Sequence, residues 1–432
     1  MRRLVAFVLV VALLVPWAAT AQVPADGVSV TKLENGLTVM VRENPVAPVV
    51  AIALLLRMGA RWENPSNAGI SNFTHAVMVK GTAKRSGGDL ADAVASLGGK
   101  ISAAGDVDYS GIQGTALARF WRELLEITAE LALTPAMNAA EVDGERDWIL
   151  SRLQRRRDNA PARAFDEFYA ALYGSHPYGL PNLGTRESLA RVDHAAILAW
   201  YRAFYRPDRM TLVVSGQVSA PEVLAEARRL FGGMPAAAPT PDPPVRTPQA
   251  AGRRLVVEAA AQQTQILAGG LAPPLDHPDH AAVKVLSTIL GGGMAGRLFA
   301  ELRDKSALAY TAASYYDPVK EPGALVLYLG TAPENAVKAE QALLAEVQKI
   351  RDVPVSPEEL ARAKGYLLGR YAMDRRTNER LAWYLGFYEV EGVGRAYPDR
   401  YRQQVEAVTV ADVQRAARTY LGTLTSVILG PK

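Results

Sequence analysis

The chain has 432 residues and a formal net charge of +4, with 48 Lys and Arg, 44 Asp and Glu, 5 His and no Cys. The lack of cysteine excludes disulfides, thiol catalysis and cysteine-ligated zinc, and the weak, evenly spread positive charge gives no sign of nucleic-acid binding. At about 150 residues per domain the chain holds two or three domains, and it is long enough to bury a stable core without cross-links.

Residues 1–21 have the pattern of a secretory signal peptide. Arg2 and Arg3 precede an apolar run that ends at Val15, and residues 19–21 (Ala-Thr-Ala) form a small-residue cleavage site. The run is shorter than the ~20 residues of a membrane span, although an uncleaved anchor is an open alternative and the Arg pair is a weak sign of a twin-arginine route. We predict export to the periplasm and no membrane segment after signal cleavage.

The first half begins with strands and continues into helices. Asn35-Gly36 provides a turn signal before the first strand. The predicted strands are residues 37–42, 49–57, a segment around 101, and 109–115. The predicted helices are residues 69–79, 89–97 and long stretches within 120–157. This order predicts an α+β domain in which helices pack on a sheet.

A Pro- and Ala-rich segment, residues 232–251, predicts a semi-rigid linker. It separates predicted domains at 26–231 and 252–432. A helix at 192–205 leads to an apolar strand at 210–216 that closes in glycine, and 408–420 followed by 424–430 repeats this order. A duplicated domain is the economical explanation, with chance similarity as the alternative.

The second half contains a predicted helix at 279–290 that stops at three glycines. A second helix at 297–303, a turn and a strand at 308–314 follow. The glycines lack the Lys-Ser/Thr of a P-loop and follow no strand, so phosphate binding is disfavoured. His277 and His280 have the spacing of a metal pair, but we assign them to a loop at a helix start.

Residues 69–82 (GISNFTHAVMVKGT) are similar to the segment in which insulinase (pitrilysin-like) peptidases carry an inverted zinc motif, H-x-x-E-H. Two His side chains four positions apart lie on one helix face and bind a single Zn²⁺. The Glu between them activates the metal-bound water. A second Glu on a later helix completes the site. Residues 176–179 (His-Pro-Tyr-Gly) and 183–185 (Leu-Gly-Thr) also match the family, and we interpret these turn formers as structural.

The resemblance aligns different residues with all of these zinc-site positions. Asn72 replaces the first His, His75 replaces the catalytic Glu, Ala76 replaces the second His, and Arg152 replaces the distal Glu. Ala76 has no ligand atom, and the cationic Arg152 repels a metal ion. We predict that this chain binds no metal. The edge strand that holds peptides in the family also departs from its usual Asn-Ala pattern.

The second half keeps a specific family block. Residues 297–303 (RLFAELR) and 308–310 (LAY) match a segment in which an Arg and a Tyr bind substrate beside the zinc of relatives. Arg303 and Tyr310 match that pair in type and spacing. A guanidinium donates to a peptide carbonyl or carboxylate, and a Tyr hydroxyl donates to a developing oxyanion.

The resemblance covers nearly the whole mature chain. It implies two homologous α/β-sandwich domains of the insulinase and mitochondrial-processing-peptidase type, joined by the linker into a clam-like shell. It also implies a non-catalytic, peptide-binding subunit that pairs as a heterodimer with a zinc-bearing homologous peptidase and supplies Arg303 and Tyr310 to the partner's zinc site. The alternatives are a structural or binding protein with the same shell and a metal-independent hydrolase centred on His75, which lacks any visible nucleophile–base pair.

Overall fold

A computed structural model describes residues 27–236, 242–248 and 252–431. The predicted signal peptide, 1–21, and parts of the predicted linker lie outside the described residues. Among the described residues the chain forms two mixed β-sheets with helices packed against them, so the α+β fold is confirmed. None of the described helices combines the length and the apolar character that a membrane span needs.

The first sheet has six strands in the order β1-β2-β6-β3-β5-β4. Its strands are β1 (Val28–Lys32), β2 (Thr38–Glu43), β3 (Val49–Leu56), β4 (Lys100–Gly105), β5 (Ser110–Leu117) and β6 (Met210–Gly216). The β2–β6 pair is parallel and the other pairs are antiparallel. The sequence analysis missed β1, which pairs with β2 across the predicted Asn35-Gly36 turn.

The helices of the first half lie between and after these strands. They are α1 (Ile70–Met78), α2 (Gly87–Ser96), α3 (Trp121–Leu133), α4 (Ala139–Asp158), α5 (Ala160–Tyr173), α6 (Arg186–Arg191), α7 (His194–Phe204) and α8 (Ala220–Phe231). Short 3₁₀ turns at Ala60–Trp62, Ala118–Phe120, Pro177–Gly179 and Pro207–Arg209 connect some of the elements.

The second half forms a five-stranded sheet in the order β7-β11-β8-β10-β9. Its strands are β7 (Arg254–Glu258), β8 (Thr264–Ala272), β9 (Thr311–Tyr316), β10 (Gly323–Thr331) and β11 (Thr425–Gly430). Its helices are α9 (His280–Gly291), α10 (Ala336–Asp352), α11 (Pro357–Asp374), α12 (Asn378–Val390), α13 (Tyr397–Ala407) and α14 (Val410–Tyr420), with a 3₁₀ turn at Pro333–Asn335.

The two sheets share one topology. β7, β11, β8, β10 and β9 follow the same spatial order as β2, β6, β3, β5 and β4, and in both sheets only the first of these pairs is parallel. The helix–strand units α7–β6 and α14–β11 occupy matching places. This agreement in order and direction confirms the predicted duplication of the domain.

The predicted helix at 297–303 and strand at 308–314 need correction. Residues Phe299–Lys305 form a π-helical turn, and β9 begins only at Thr311. The backbone amides of Leu308 and Ala309 donate to the carbonyl of Leu302, at 2.8 and 3.1 Å. Both residues therefore close the π turn instead of pairing in the sheet.

Each sheet is covered on one face by a helix from the other half. Helix α12 packs on β3 and β6 of the first sheet, and α5 packs on β8 and β11 of the second. A Cβ built on Gly386 of α12 would lie 2.9 Å from Leu55 Cδ1, so a larger residue at 386 would displace the Leu55 side chain. Phe168 of α5 is fully buried with Leu267 and Val427. The two halves therefore share their cores.

A buried ionic cluster joins the halves. Glu321, before β10, is fully buried and accepts from Arg61 Nε at 2.6 Å and from His176 Nε2 at 2.7 Å. Burial alone would raise the pKa of Glu321, but the hydrogen bonds from His176 and Arg61 outweigh it and lower the pKa. The family-like segment 176–179 thus has the structural role that we assigned to it.

We predict that Glu321→Gln destabilises the protein because it removes the closest counter-charge of the buried Arg61 guanidinium and leaves it only Asp242, at 3.8 Å. Loss of one partner of a buried pair costs about 3–5 kcal/mol in the free energy of unfolding, which urea denaturation measures. The matched control is Glu222→Gln, which breaks the exposed pair with Arg122 and costs at most about 1 kcal/mol. Equal effects of the two substitutions would contradict the role given to Glu321.

Candidate functional site: the cavity between the halves

Helix α1, which carries three of the four predicted zinc-site positions, is held at its N-terminus by a buried carboxylate. Glu63 accepts from the backbone amides of Gly69 at 2.7 Å and Ser71 at 2.9 Å. Gly69 has φ 86°, and a Cβ there would lie 2.5 Å from the backbone nitrogen of Gly184. The Leu-Gly-Thr segment therefore packs directly against the start of α1 and fixes its position.

His75 is fully buried and points to α7. Its Nδ1 donates to the carbonyl of Ser71 at 2.7 Å, and its Nε2 accepts from the hydroxyl of Tyr205 at 2.8 Å. Burial lowers the pKa of His75 to about 4, although the hydrogen bond to Ser71 opposes this shift. The side chain is therefore a neutral core histidine with both ring nitrogens occupied.

Asn72 and Arg152 line one cavity of about 710 Å³ between the two halves. Asn72 Nδ2 is buried and has no hydrogen-bond partner among the described residues. The Arg152 guanidinium lies over the ring of Trp148, 4.7 Å from its centroid. Ala76 is partly buried and, like His75, is not part of the cavity lining.

These residues do not fit Zn²⁺. The orphaned Asn72 amide nitrogen is a donor, not a metal ligand, and Arg152 adds a positive charge to the same cavity. His75 uses both ring nitrogens in other contacts, and Ala76 has no ligand atom. In the described ranges no group of three or more His, Asp or Glu side chains is arranged to hold a metal ion.

The cavity receives residues from several separate segments, most of which the sequence analysis did not identify. Aromatic side chains from α5, β9 and α12 contribute to its walls: Tyr169, Tyr173, Tyr315, Trp383 and Phe387. The end of edge strand β4 contributes Ala104 and Gly105. No local sequence pattern could have identified these residues, because they meet only through the exchange of α5 and α12 between the halves.

Arg303 and Tyr310 lie outside this cavity lining. Arg303 is exposed within the π-helical turn, with its guanidinium 4.6 Å from the centroid of the Phe299 ring. Tyr310 is 60% exposed, and its backbone amide donates to the carbonyl of Gly330 at 2.8 Å. Between them Ala307 has φ 51°, a conformation that non-glycine residues seldom adopt. Both side chains are therefore presented to the surface by an irregular segment.

His277 and His280 have separate surroundings. His277 is exposed, and its Nδ1 accepts from the backbone amide of Asp279 at 3.0 Å. His280 begins α9 and is buried, and its Nδ1 donates to the hydroxyl of Tyr316 at 2.8 Å. Burial lowers the pKa of His280 to about 3. As predicted, the pair belongs to a loop and a helix start.

Two family models match adjoining parts of the chain. Residues 38–186 match the insulinase family, peptidase family M16, and residues 191–367 match the peptidase M16 inactive domain. Together they extend from β2 in the first sheet into α11 in the second half. The chain belongs to the insulinase family of peptidases.

Relatives and solved structures agree with this assignment. An uncharacterized zinc protease of Rickettsia bellii is 26% identical over 94% of this chain and 98% of that protein. An uncharacterized zinc protease of Mycobacterium leprae is 28% identical over 94% of this chain and 92% of that protein. Two solved structures have the same fold, each with a TM-score of 0.86 and 22% sequence identity over 94% of this chain. One is a peptidase M16 inactive domain from Pseudomonas fluorescens, of which 98% is covered. The other is a protease from Helicobacter pylori, of which 99% is covered.

The buried neutral state of His75 predicts a pH dependence of stability. The unfolded chain takes up the proton near pH 6.5 and the folded chain only near pH 4, so the unfolded state binds more protons between these values. The free energy of unfolding should therefore fall as the pH drops through this window, by up to about 3 kcal/mol for this residue. Urea denaturation at a series of pH values measures the slope.

In that series His75→Gln should lose part of the slope, whereas His277→Gln, in an exposed loop, should keep it. Burial also lowers the pKa of His280, so His75→Gln should still lose some stability as the pH falls. An unchanged slope in His75→Gln would show that His75 is not neutral in the folded state.

Proposed function

We propose that this chain is a non-catalytic, peptide-binding subunit of a heteromeric zinc peptidase. The observation that carries the proposal is the change at the metal positions. The orphaned amide of Asn72 and the cation of Arg152 line the cavity, and His75 is a neutral core residue. A family member with these side chains needs another chain to provide the metal, and we propose a zinc-bearing homologous peptidase as that partner in a heterodimer.

The surroundings of Arg303 and Tyr310 support a role for this pair in the partner's site. Both side chains are exposed and lie outside the cavity of their own chain. The segment between them combines a π-helical turn with a left-handed Ala307. Irregular backbone of this kind occurs frequently at functional sites. Arg303 would hold a peptide carbonyl or carboxylate, and Tyr310 would donate to the oxyanion beside the partner's zinc.

We predict that the purified chain alone carries no stoichiometric zinc and does not hydrolyse a quenched fluorescent peptide. Mixed with a zinc-bearing relative from the same organism, it should raise the hydrolysis rate above that of the relative alone. Tyr310→Phe should reduce the turnover of the mixture about 10²-fold, as removal of an oxyanion donor does, and Arg303→Ala should also reduce it.

The matched control is Lys305→Ala, which removes an exposed cation from the same turn and should leave turnover unchanged. Size-exclusion chromatography should show that all variants still form the heterodimer. No gain on mixing would instead favour a binding or structural role for the same shell, and hydrolysis by this chain alone would contradict the non-catalytic assignment.

We also propose that the mature protein acts in the periplasm, because residues 1–21 have the order of charged, apolar and small residues that signal peptidases recognise. Cell fractionation should recover a chain that begins near Gln22 with periplasmic markers. Recovery of the intact chain in the cytoplasmic or membrane fraction would contradict this proposal.

A further inference from the structure

Two cationic side chains line the cavity, Arg152 and Arg156, and only one has an acidic partner. Arg156 donates from Nε and Nη2 to the two carboxylate oxygens of Asp166, both at 2.8 Å. Arg152 makes no ion pair and no hydrogen bond through its side chain among the described residues, and its described contact is the Trp148 ring. Its hydrogen-bond donors are therefore available to a ligand in the cavity.

The acidic groups of the lining either interact with other groups or are held uncharged. Asp108 accepts from the hydroxyl of Tyr178 and from the backbone amide of Lys320. Asp106 accepts from the amide of Val107 at 2.7 Å. Asp317 interacts electrostatically with the buried ammonium of Lys284. Burial raises the pKa of Glu391 well above its ordinary value, which favours its uncharged form. None of these acids forms an ion pair with Arg152.

Asn72 of α1 also lines the cavity. The Nδ2 of Asn72 is buried without a partner among the described residues, and a buried donor left unpaired costs about 1–3 kcal/mol. Edge strand β4 lies close by, because a Cβ on Gly105 would be 2.8 Å from the Asn72 backbone nitrogen. An extended ligand that follows β4 would therefore pass Asn72.

We propose that the altered metal site is a carboxylate-binding site, in which Arg152 and Asn72 hold a carboxylate of a bound peptide. This inference rests on the proposed peptide-binding function and deepens it. A guanidinium binds a carboxylate with two parallel hydrogen bonds, and the Asn72 amide adds a third donor. Where the resemblance expects a zinc ion that activates water, Arg152 and Asn72 would donate hydrogen bonds to a carboxylate of the bound peptide.

The carboxylate has two sources, the C-terminus of the peptide or an acidic side chain within it. Three alanine-rich pentapeptides, each labelled at the N-terminus with an uncharged fluorophore, separate them. The first has a free C-terminal carboxylate, the second a C-terminal amide, and the third a C-terminal amide with one internal glutamate. Fluorescence anisotropy with the full mature chain measures the Kd of each, and no cleavage interferes because no partner is present.

We expect at least one carboxylate-bearing peptide to bind about tenfold more tightly than the uncharged amide. Arg152→Gln should abolish this preference without changing the affinity for the uncharged amide, and Arg152→Lys should retain part of it. Asn72→Leu should weaken it. The matched control is Arg155→Gln, an exposed arginine on the same helix that does not line the cavity, and it should retain the whole preference.

The outcomes separate this inference from the function on which it rests. A preference for the free C-terminus identifies an anchor for peptide ends, and a preference for the internal glutamate identifies a side-chain anchor; both support the site. Equal binding of all three peptides, unaffected by Arg152→Gln, would overturn the carboxylate site and leave peptide binding intact. Absence of binding by every peptide would overturn both.

Discussion

The carboxylate of Glu321 has no access to water and is neutralised by groups from the other half of the chain. An uncompensated charge in that position would be strongly destabilising, so the two halves are stable together only when Arg61 and His176 reach it. Two residues of the linker contact the same cluster. The backbone amide of Arg246 donates to Glu321, and Asp242 lies 3.8 Å from Arg61. The buried carboxylate of Glu321 therefore contacts both halves of the chain and the linker between them.

The position of the cavity follows from this constraint. Asp108 and Tyr178 line the cavity and extend the ionic cluster into its wall. They accept hydrogen bonds across the halves from the backbone amides of Lys320 and Glu321. The exchange of α5 and α12 adds aromatic side chains to the same wall. The cavity is therefore not a gap between two independent domains. Two residues of the cluster, Asp108 and Tyr178, form part of its wall, and residues of both halves line it.

Most of the fold could be predicted from local patterns, because apolar strands such as 210–216 and glycine-terminated helices carry their own signals. Asn72, His75 and Ala76 lie on one helix, α1, as expected from their spacing, whereas their assignment as altered zinc-site positions stays a prediction from the family resemblance. The shared cores were not predictable, because Gly386 meets Leu55 only in three dimensions. The π-helical turn was missed because its five-residue hydrogen bonds, such as that from the amide of Ser306 to the carbonyl of Glu301, leave no periodic pattern in a short segment.

His75, at the position where the family resemblance expects a Glu, has a structural role of its own. In the present packing the side chain lies between a carbonyl oxygen, which needs a donor, and a Tyr hydroxyl, which donates. A neutral imidazole satisfies both, whereas a carboxylate would place its charge against the Ser71 carbonyl without solvent. Returning one zinc-site position at a time would therefore destabilise α1 without assembling a metal site. The hydrogen bonds of His75 thus stabilise α1 in its present packing.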